Sequence, residues 1–145
     1  MENISKHITF KEATTTNSGI LNLPNEKQLK AMKLLAEKVF EPLREHFGTP
    51  IKINSMFRSA MVNKAIGGSS TSQHCANNGA ALDLDGIGSL TNKMIFDYIK
   101  DNLDFDQLIH ENGTDENPAW VHVSYKEKNN RKEVLRFKNK KYTKY

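Results

Sequence analysis

The apolar residues between Asn25 and Gly48 recur at steps of three and four residues, which is the spacing of one face of an α-helix. These residues are Leu29, Met32, Ala36, Val39, Phe40, Leu43 and Phe47. Asn25 is a typical N-cap and Gly48 is a typical C-terminal stop, so we expect a long core helix between them. Pro42 has no amide hydrogen for the preceding turn, and we expect it to kink or divide this helix.

The rest of the chain is typical of short strands that follow the helices. The predicted strands are 51–57, 80–86, 105–111, 119–125 and a last strand around Val134 and Arg136. The other predicted elements are helices over 60–66 and 91–103 and a polar loop over 69–78. This order predicts an α+β fold with a small, mostly antiparallel sheet and flanking helices.

Length and composition indicate a single globular domain. The chain has 145 residues, of which 37% are hydrophobic and 26% are charged. No apolar run approaches the ~20 residues that a membrane span requires. The N-terminal residues lack the apolar stretch of a secretory signal. The single cysteine, Cys75, excludes an intramolecular disulfide framework and is compatible with a reducing cytoplasm.

Positive charge is concentrated at the C-terminus. Residues 126–145 contain nine Lys or Arg residues against Glu127 and Glu133, a net charge of +7 in a chain whose overall charge is +4. We therefore divide the chain into a domain over 1–137 and a basic tail over 138–145. Such a segment favours an anionic partner, namely nucleic acid, a lipid surface or an anionic wall polymer, and a solvated tail without a partner is the simpler alternative.

Two histidines and one aspartate have the residue types of a catalytic zinc site. His74 ends the polar loop, Asp83 lies in the strand that follows, and His122 lies between two valines of a later strand. Two imidazoles and one carboxylate are a common zinc ligand set that leaves the fourth position for water. A single histidine among apolar neighbours is more often a core residue. We therefore expect His7, His46 and His110 to have structural roles.

Five short motifs occur in one order along the chain. They are Arg58-Ser59, Asn63 to Gly68, Ser72-Gln73-His74, Gly79 to Asp83, and Trp120-Val121-His122. Together they resemble the zinc peptidases of peptidoglycan, the D-Ala-D-Ala carboxypeptidase and L-alanoyl-D-glutamate endopeptidase family, over roughly residues 5–125. The resemblance implies the small α+β fold that this family shares with the Hedgehog signalling domain.

The resemblance also assigns roles to individual residues. It implies that His74, Asp83 and His122 bind zinc. It implies that Arg58 faces the active site, where a guanidinium can hold a substrate carboxylate or a developing oxyanion with two donors. Ser72 and Gln73 are expected to bind substrate. Asn63 is expected to shape the loop, and Trp120 is expected in the core.

The spacing of the aspartate departs from the family pattern. Eight residues separate His74 from Asp83, where family members usually have six, and the extra residues lie near 76–78. Asp85 is therefore a rival ligand, because two steps along a strand return to the same face. We prefer Asp83 because it keeps the Gly-x-Ala-x-Asp spacing of the family.

The acid that transfers protons is missing from its usual place. Several family members carry Glu or Asp three residues before the last histidine, and Ala119 stands there in this chain. We assign the role to Glu111, whose strand precedes the strand of His122. Asp115 and Glu116 are the alternative candidates.

The resemblance implies a zinc-dependent peptidase that hydrolyses a peptide bond in the stem peptide or cross-link of bacterial peptidoglycan. We expect a monomer whose partners are peptidoglycan and, through the basic tail, anionic wall polymers. The compact chain without a signal segment is typical of a phage lysis enzyme (an endolysin) that stays in the host cytoplasm until release.

Two other functions remain open. A non-catalytic wall-binding module on the same fold is favoured by Ala119. Nucleic-acid binding through residues 126–145 is favoured by Tyr142 and Tyr145, which interrupt the lysines as stacking residues do.

Overall fold

A computed structural model describes residues 2–145, so that only Met1 of the predicted 1–137 domain lies outside it. The helices are α1 (Phe10–Ala13), α2 (Glu26–Leu35), α3 (Glu41–Phe47), α4 (Ala60–Ala65) and α5 (Asn92–Asn102). The strands are β1 (Lys52–Ser55), β2 (Ala80–Asp85), β3 (Gln107–Glu111), β4 (Trp120–Tyr125), β5 (Glu133–Lys138) and β6 (Lys141–Lys144). A π-helical turn covers Ala36–Phe40, and a 3₁₀ turn covers Gln73–Cys75.

The six strands form one sheet in the order β1-β2-β4-β3-β5-β6. Every neighbouring pair is antiparallel except β3 and β5, which are parallel. This arrangement confirms the predicted α+β class with a mostly antiparallel sheet and flanking helices. Among residues 2–145, no helix has the length and apolar character needed to cross a membrane.

The long core helix begins and ends at the predicted residues and is divided before Pro42. Asn25 and Gln28 form a reciprocal capping box with two hydrogen bonds of 2.8 Å. The π-helical turn over Ala36–Phe40 separates α2 from α3 and places Pro42 in the first turn of α3, where the missing amide hydrogen costs least. Gly48 ends the helix with a φ of 61°.

The core lies on one face of the sheet. Helices α2 and α5 contact strands β2, β3 and β4. The fully buried strand residues on this face are Leu82, Leu84, Leu108, Val121 and Val123. The residues that alternate with them lie on the opposite face, because successive side chains of a strand point to opposite sides.

The C-terminal residues form a hairpin within the sheet. Leu135 lies opposite Lys144, and Phe137 lies opposite Tyr142, so β5 and β6 pair antiparallel. The boundary that we expected after residue 137 falls inside β5, and residues 141–144 of the expected tail form β6. The lysines of β6 are typical of an exposed sheet edge, where charge prevents pairing with other chains. A separate binding role of residues 138–145 stays a prediction.

Asp106 joins three parts of the chain just before β3. Its fully buried carboxylate accepts hydrogen bonds from Arg131 Nη2 at 2.7 Å, from Arg131 Nε at 3.0 Å and from Gln73 Nε2 at 2.9 Å. It also accepts the Arg131 amide at 3.0 Å. Burial opposes ionisation, but these donors outweigh it and hold the pKa of the Asp106 carboxyl well below its ordinary value.

We expect Asp106→Asn to lower the free energy of unfolding by about 2–3 kcal/mol at pH 7, because hydrogen bonds to charged groups contribute about 1.5–3 kcal/mol each. In the unfolded chain the Asp106 carboxyl has an ordinary pKa of about 4. Because its pKa is lower in the folded protein, the stabilisation is present above about pH 4 and is lost as the pH falls below that value. Urea unfolding at pH 7 and pH 3 measures the difference. Asp101→Asn, at an exposed pair with Lys100, is the control and should change stability by less than about 1 kcal/mol. A deficit of Asp106→Asn that is equal at both pH values would contradict this account.

Candidate metal centre

The face of the sheet opposite the core forms the floor of a cleft of about 790 Å³. The loop before β2 forms one side of the cleft, and the C-terminal hairpin contributes to another. All of the predicted site residues line it, namely Arg58, Ser72, Gln73, His74, Asp83, Glu111 and His122. The structure therefore brings the candidate residues of five separate chain segments into one place.

Asp83 lies between the two histidines at the bottom of this cleft. Its Oδ2 atom is 3.3 Å from His74 Nε2, and its Oδ1 atom is 3.0 Å from His122 Nδ1. One potential ligand atom of each residue lies within 4.8 Å of the other two. Among residues 2–145, this is the group of His, Cys, Asp and Glu side chains that is close enough to hold a metal ion.

The backbone determines the positions of these three side chains. Antiparallel pairing places Asp83 of β2 directly opposite His122 of β4. His74 lies in the 3₁₀ turn, and its Nδ1 donates to the Met56 carbonyl at 2.7 Å. A carbonyl oxygen only accepts, so this bond keeps the proton on Nδ1 and leaves the lone pair of Nε2 facing Asp83.

The protonation states of the group suit a metal ion. Burial lowers the pKa of His74, so that its imidazole is neutral. Burial opposes ionisation of Asp83, but its hydrogen bond with His122 favours the charged form, and the pKa of this carboxyl lies well below its ordinary value. His74 Nε2 is buried and has no hydrogen-bond partner among the described residues. A neutral imidazole with a free lone pair beside an ionised carboxylate fits the ligand set of zinc.

The rival ligand, Asp85, is occupied by other side chains. Asn92 Nδ2 donates to Asp85 Oδ1 at 2.6 Å, and Asn54 Nδ2 donates to Asp85 Oδ2 at 3.0 Å. Asp85 does not belong to the group that could hold a metal. The geometry therefore favours Asp83 over Asp85 as the ligand.

The other histidines have structural contacts elsewhere in the chain. His7 is hydrogen-bonded to Glu41, His46 stacks on Tyr98, and His110 packs edge-on against Phe96. These contacts agree with the structural interpretation of all three residues.

Glu111 is the carboxylate that lines the cleft beside the candidate metal ligands. It lies at the end of β3 opposite Trp120, and its carbonyl accepts the amide of Ala119 at 2.8 Å. Its side chain is almost fully buried. Burial raises the pKa of Glu111 to about 7, with a smaller raising effect of Asp83 and a lowering effect of His122. A carboxyl group with this pKa can take up and release a proton near neutral pH.

The two alternative acids lie outside the cleft. Asp115 is exposed and lies 3.5 Å from Arg136 Nη1 and 3.3 Å from Lys138 Nζ. Glu116 is also exposed. Neither residue lines the cleft, so Glu111 is the one of the three candidate acids that the structure places there.

Arg58, Ser72 and Gln73, which are predicted to bind substrate, differ in how many of their donors and acceptors are already used within the protein. Arg58 Nη2 lies 3.4 Å from Ser72 Oγ, which also accepts the amide of His74 at 3.2 Å. Arg58 Nε is buried and has no partner among the described residues. The amide nitrogen of Gln73 is engaged with Asp106 and with the loop backbone. Arg58 thus lines the cleft with one buried donor unused, whereas Gln73 mainly holds the loop that carries His74.

Trp120 and Tyr142 lie in places that differ from the sequence-based expectation. Trp120, expected in the core, is half-buried and lines the cleft because it lies on the same face of the sheet as Glu111. Tyr142, expected in a basic tail, lines the cleft from β6. In the sequence, Leu135 and Phe137 are two residues apart, which is the spacing of one face of a strand and indicates β5 but not the hairpin with β6. Asn63 shapes the loop as expected, since its Nδ2 donates to the Ser69 carbonyl at 2.7 Å.

An α+β sheet with a His-Asp-His group in an open cleft defines a candidate metallohydrolase. The sequence model of the Peptidase M15 family matches residues 5–124, which is most of the chain. The chain therefore belongs to the Peptidase M15 family. No curated protein matches it at a significant level of similarity. The family match ends before β5, so the C-terminal hairpin lies beyond it.

We expect Asp83→Asn to lose stoichiometric zinc, because a neutral amide is a poor replacement for a carboxylate ligand. Asp85→Asn is the matched control on the same strand and should keep the metal. Elemental analysis after dialysis measures zinc, and circular dichroism checks that both variants fold. Zinc bound by Asp83→Asn but lost by Asp85→Asn would identify the rival aspartate as the ligand.

We expect Glu111→Gln to stabilise the metal-free protein at pH 8. A pKa of about 7 against the ordinary 4.5 means that ionised Glu111 destabilises the fold by about 3 kcal/mol, at 1.4 kcal/mol per pKa unit. Because the folded pKa is raised, this penalty is full above pH 7 and disappears below the unfolded pKa. Urea unfolding of the metal-free protein at pH 8 and pH 4 measures it. Equal stability of wild type and Glu111→Gln at pH 8 would show that Glu111 is not desolvated.

Proposed function

We propose that this protein is a zinc-dependent peptidase that hydrolyses a peptide bond in the stem peptide or cross-link of bacterial peptidoglycan. The observation that carries the proposal is the His74, Asp83 and His122 group at the bottom of an open cleft. Membership of the Peptidase M15 family supports peptidase activity. The motif resemblance to peptidoglycan peptidases supports the substrate class.

The three ligands of the proposed zinc site have separate tasks. Zinc bound there would act as a Lewis acid towards water and the scissile carbonyl. Asp83 supplies the hard oxygen donor and the negative charge. The Met56 carbonyl fixes the ring of His74, and the pairing of β2 with β4 fixes His122. Side chains held by packing and backbone bonds need no rearrangement before the reaction.

Glu111 is proposed to move the proton. It takes a proton from the attacking water and later gives it to the leaving amine, and its position in the cleft supports this role. Ala119, which stands where relatives carry the acid, is hydrogen-bonded through its backbone to Glu111. The end of β3 thus lies beside the start of β4, and Glu111 shares the cleft face with Trp120.

Arg58 is proposed to bind the substrate carboxylate or the developing oxyanion. Its buried Nε has no partner among the described residues, and the residue lines the cleft. Stem peptides carry carboxylates, and a guanidinium can bind one through two parallel hydrogen bonds. Ser72 and Gln73 lie beside it and are proposed to contact the same part of the substrate.

The biological setting of the enzyme is also a proposal. We propose a monomeric phage lysis enzyme, an endolysin, that stays in the host cytoplasm until it is released to the wall. Residues 138–145 are all exposed, and their lysines are proposed to add a weak, nonspecific attraction towards anionic wall polymers, without a defined contact.

The two alternative functions explain fewer observations. A wall-binding module without catalysis gives no reason for Glu111 beside a metal-ligand group. For nucleic-acid binding, Tyr142 and Tyr145 would have to stack together on bases. Tyr142 instead lines the cleft, whereas Tyr145 packs against Phe96 with its ring centroid at 4.8 Å.

We expect the zinc-loaded protein to release new peptide termini from purified peptidoglycan, and mass spectrometry of the products identifies the bond. Glu111→Gln should keep zinc and fold but lose about two to four orders of magnitude in rate, the usual contribution of general acid–base catalysis. Glu116→Gln, at an exposed acid outside the cleft, is the matched control and should keep the wild-type rate. Zinc-loaded wild type that releases no new termini would overturn the function, and a near-normal rate of Glu111→Gln would overturn the role of Glu111.

A further inference from the structure

A second cleft of about 720 Å³ lies between α2 and the turn that follows β4. Lysines dominate its lining, and we call it the lysine groove. The lysines are Lys27, Lys30, Lys33, Lys126 and Lys128. The acidic residues of the lining are Glu37 and Glu127, so the groove is positively charged overall.

Most of this positive charge is not neutralised within the protein. Lys27, Lys30 and Lys128 have no carboxylate within 4.0 Å among the described residues. Lys33 lies 3.5 Å from Glu2, whose side chain is 90% exposed, and such a pair is weak. Ammonium groups that converge on one groove without acidic partners attract anions from solution.

Helix stability does not explain the lysine at the start of α2. Lys27 is the second residue of the helix, where the partial positive charge of the helix N-terminus disfavours a cation. Lys30 and Lys33 follow at steps of three, which keeps the three ammonium groups on the groove side of α2 over about 9 Å. This row matches an extended anionic ligand better than a single small anion.

The lysine groove adjoins the metal cleft. Asn78 and Lys126 line both of them. The wall between them is the loop after His74, which Gln28 Nε2 ties to α2 through the Cys75 carbonyl and Asn77 Oδ1, both at 3.2 Å. This loop contains the residues that exceed the usual spacing before the aspartate. A ligand in the groove therefore lies beside the segment that positions His74.

The chemistry of the lining favours a polymer of phosphodiesters. Lysine binds phosphate as a point charge, and a row of lysines along the groove suits a polymer that carries one negative charge in each repeat. A nucleic acid would need aromatic platforms for its bases, but the one aromatic residue of the lining is the half-buried Tyr125.

We propose that the lysine groove binds a phosphodiester polymer of the bacterial cell wall and thereby holds the adjoining peptide at the metal cleft. Both the origin of the polymer in the cell wall and the holding of the peptide rest on the proposed function. The polymer contacts Lys27, Lys30 and Lys128 through its phosphates, and its binding weakens as ionic strength rises.

The test compares two triple variants with the same change of charge. Lys27→Gln, Lys30→Gln and Lys128→Gln together remove charge from the groove, and Lys140→Gln, Lys141→Gln and Lys144→Gln together remove it from the hairpin. The probe is soluble poly(glycerol phosphate), titrated by calorimetry at several salt concentrations. We expect the groove variant to bind at least about tenfold more weakly, with the slope of log K against log salt reduced by about 2, and the hairpin variant to change by less than about threefold.

Three outcomes would overturn the proposal. Equal losses in the two variants would mean that net charge alone attracts the polymer, and a larger loss in the hairpin variant would place the contact at residues 138–145. Tighter binding of a single-stranded oligonucleotide than of poly(glycerol phosphate) of equal charge would indicate a nucleic-acid site. The titration requires no hydrolysis, so a protein that binds the polymer through the groove but cleaves no peptidoglycan would disprove the proposed function alone.

Discussion

The register of β2 against β4 determines both the core and the candidate metal centre. It places Leu82 opposite Val123 on the side of the helices and Asp83 opposite His122 on the side of the cleft. A slip of one residue would exchange the two faces and expose the leucines and valines to water. The burial of the apolar face thus fixes the distance between the aspartate and the histidine. Because folding of the core already orders these two strands, the site requires no further loss of backbone entropy there.

The third member of the group depends on a different constraint. His74 lies outside the sheet, in a turn whose conformation is set by its contacts. Its amide bonds to Ser72 Oγ, its carbonyl accepts the Arg58 amide at 2.9 Å, and its ring is bound to the Met56 carbonyl. Gly79 lets the loop return to β2 with a φ of 78°, against the carbonyl of Tyr125, where a side chain would collide. These contacts, and not the sheet, hold the imidazole beside Asp83.

Local patterns predict the parts of the fold that have one buried face. The capped helix from Asn25, its division before Pro42 and the strands of the site follow from apolar spacing, and the structure confirms them. The choice between Asp83 and Asp85 is different, because both lie on one face of β2 and the sequence distinguishes them only by family spacing. The amides of Asn54 and Asn92 that occupy Asp85 come from distant segments, and no local pattern indicates them.

The C-terminal hairpin shows where the sequence is a poor guide. Strand β6 is exposed at every residue, so it has no apolar alternation, and its lysines are equally typical of a solvated tail. Its neighbour β5 joins the sheet through a parallel pairing with β3, which only the complete topology can determine. Trp120 illustrates the same difficulty, because a large aromatic residue fits a core or a cleft wall. In both cases the deciding contacts are distant in sequence.

In its proposed role, Glu111 would take the place of the acid that several relatives carry at position 119. On an antiparallel pair, neighbouring residues of two strands project onto the same patch of the sheet face. Glu111 lies opposite Trp120, so the end of β3 places its carboxylate on the cleft face of the sheet, beside the strand that carries His122. The replacement has a physical cost, because Glu111 is nearly buried beside the negative charge of Asp83. A divalent cation held by Asp83 and the two histidines would offset that charge and lower the pKa of Glu111. A bound cation would thus favour the ionised form of Glu111, which is the form that can accept a proton from water.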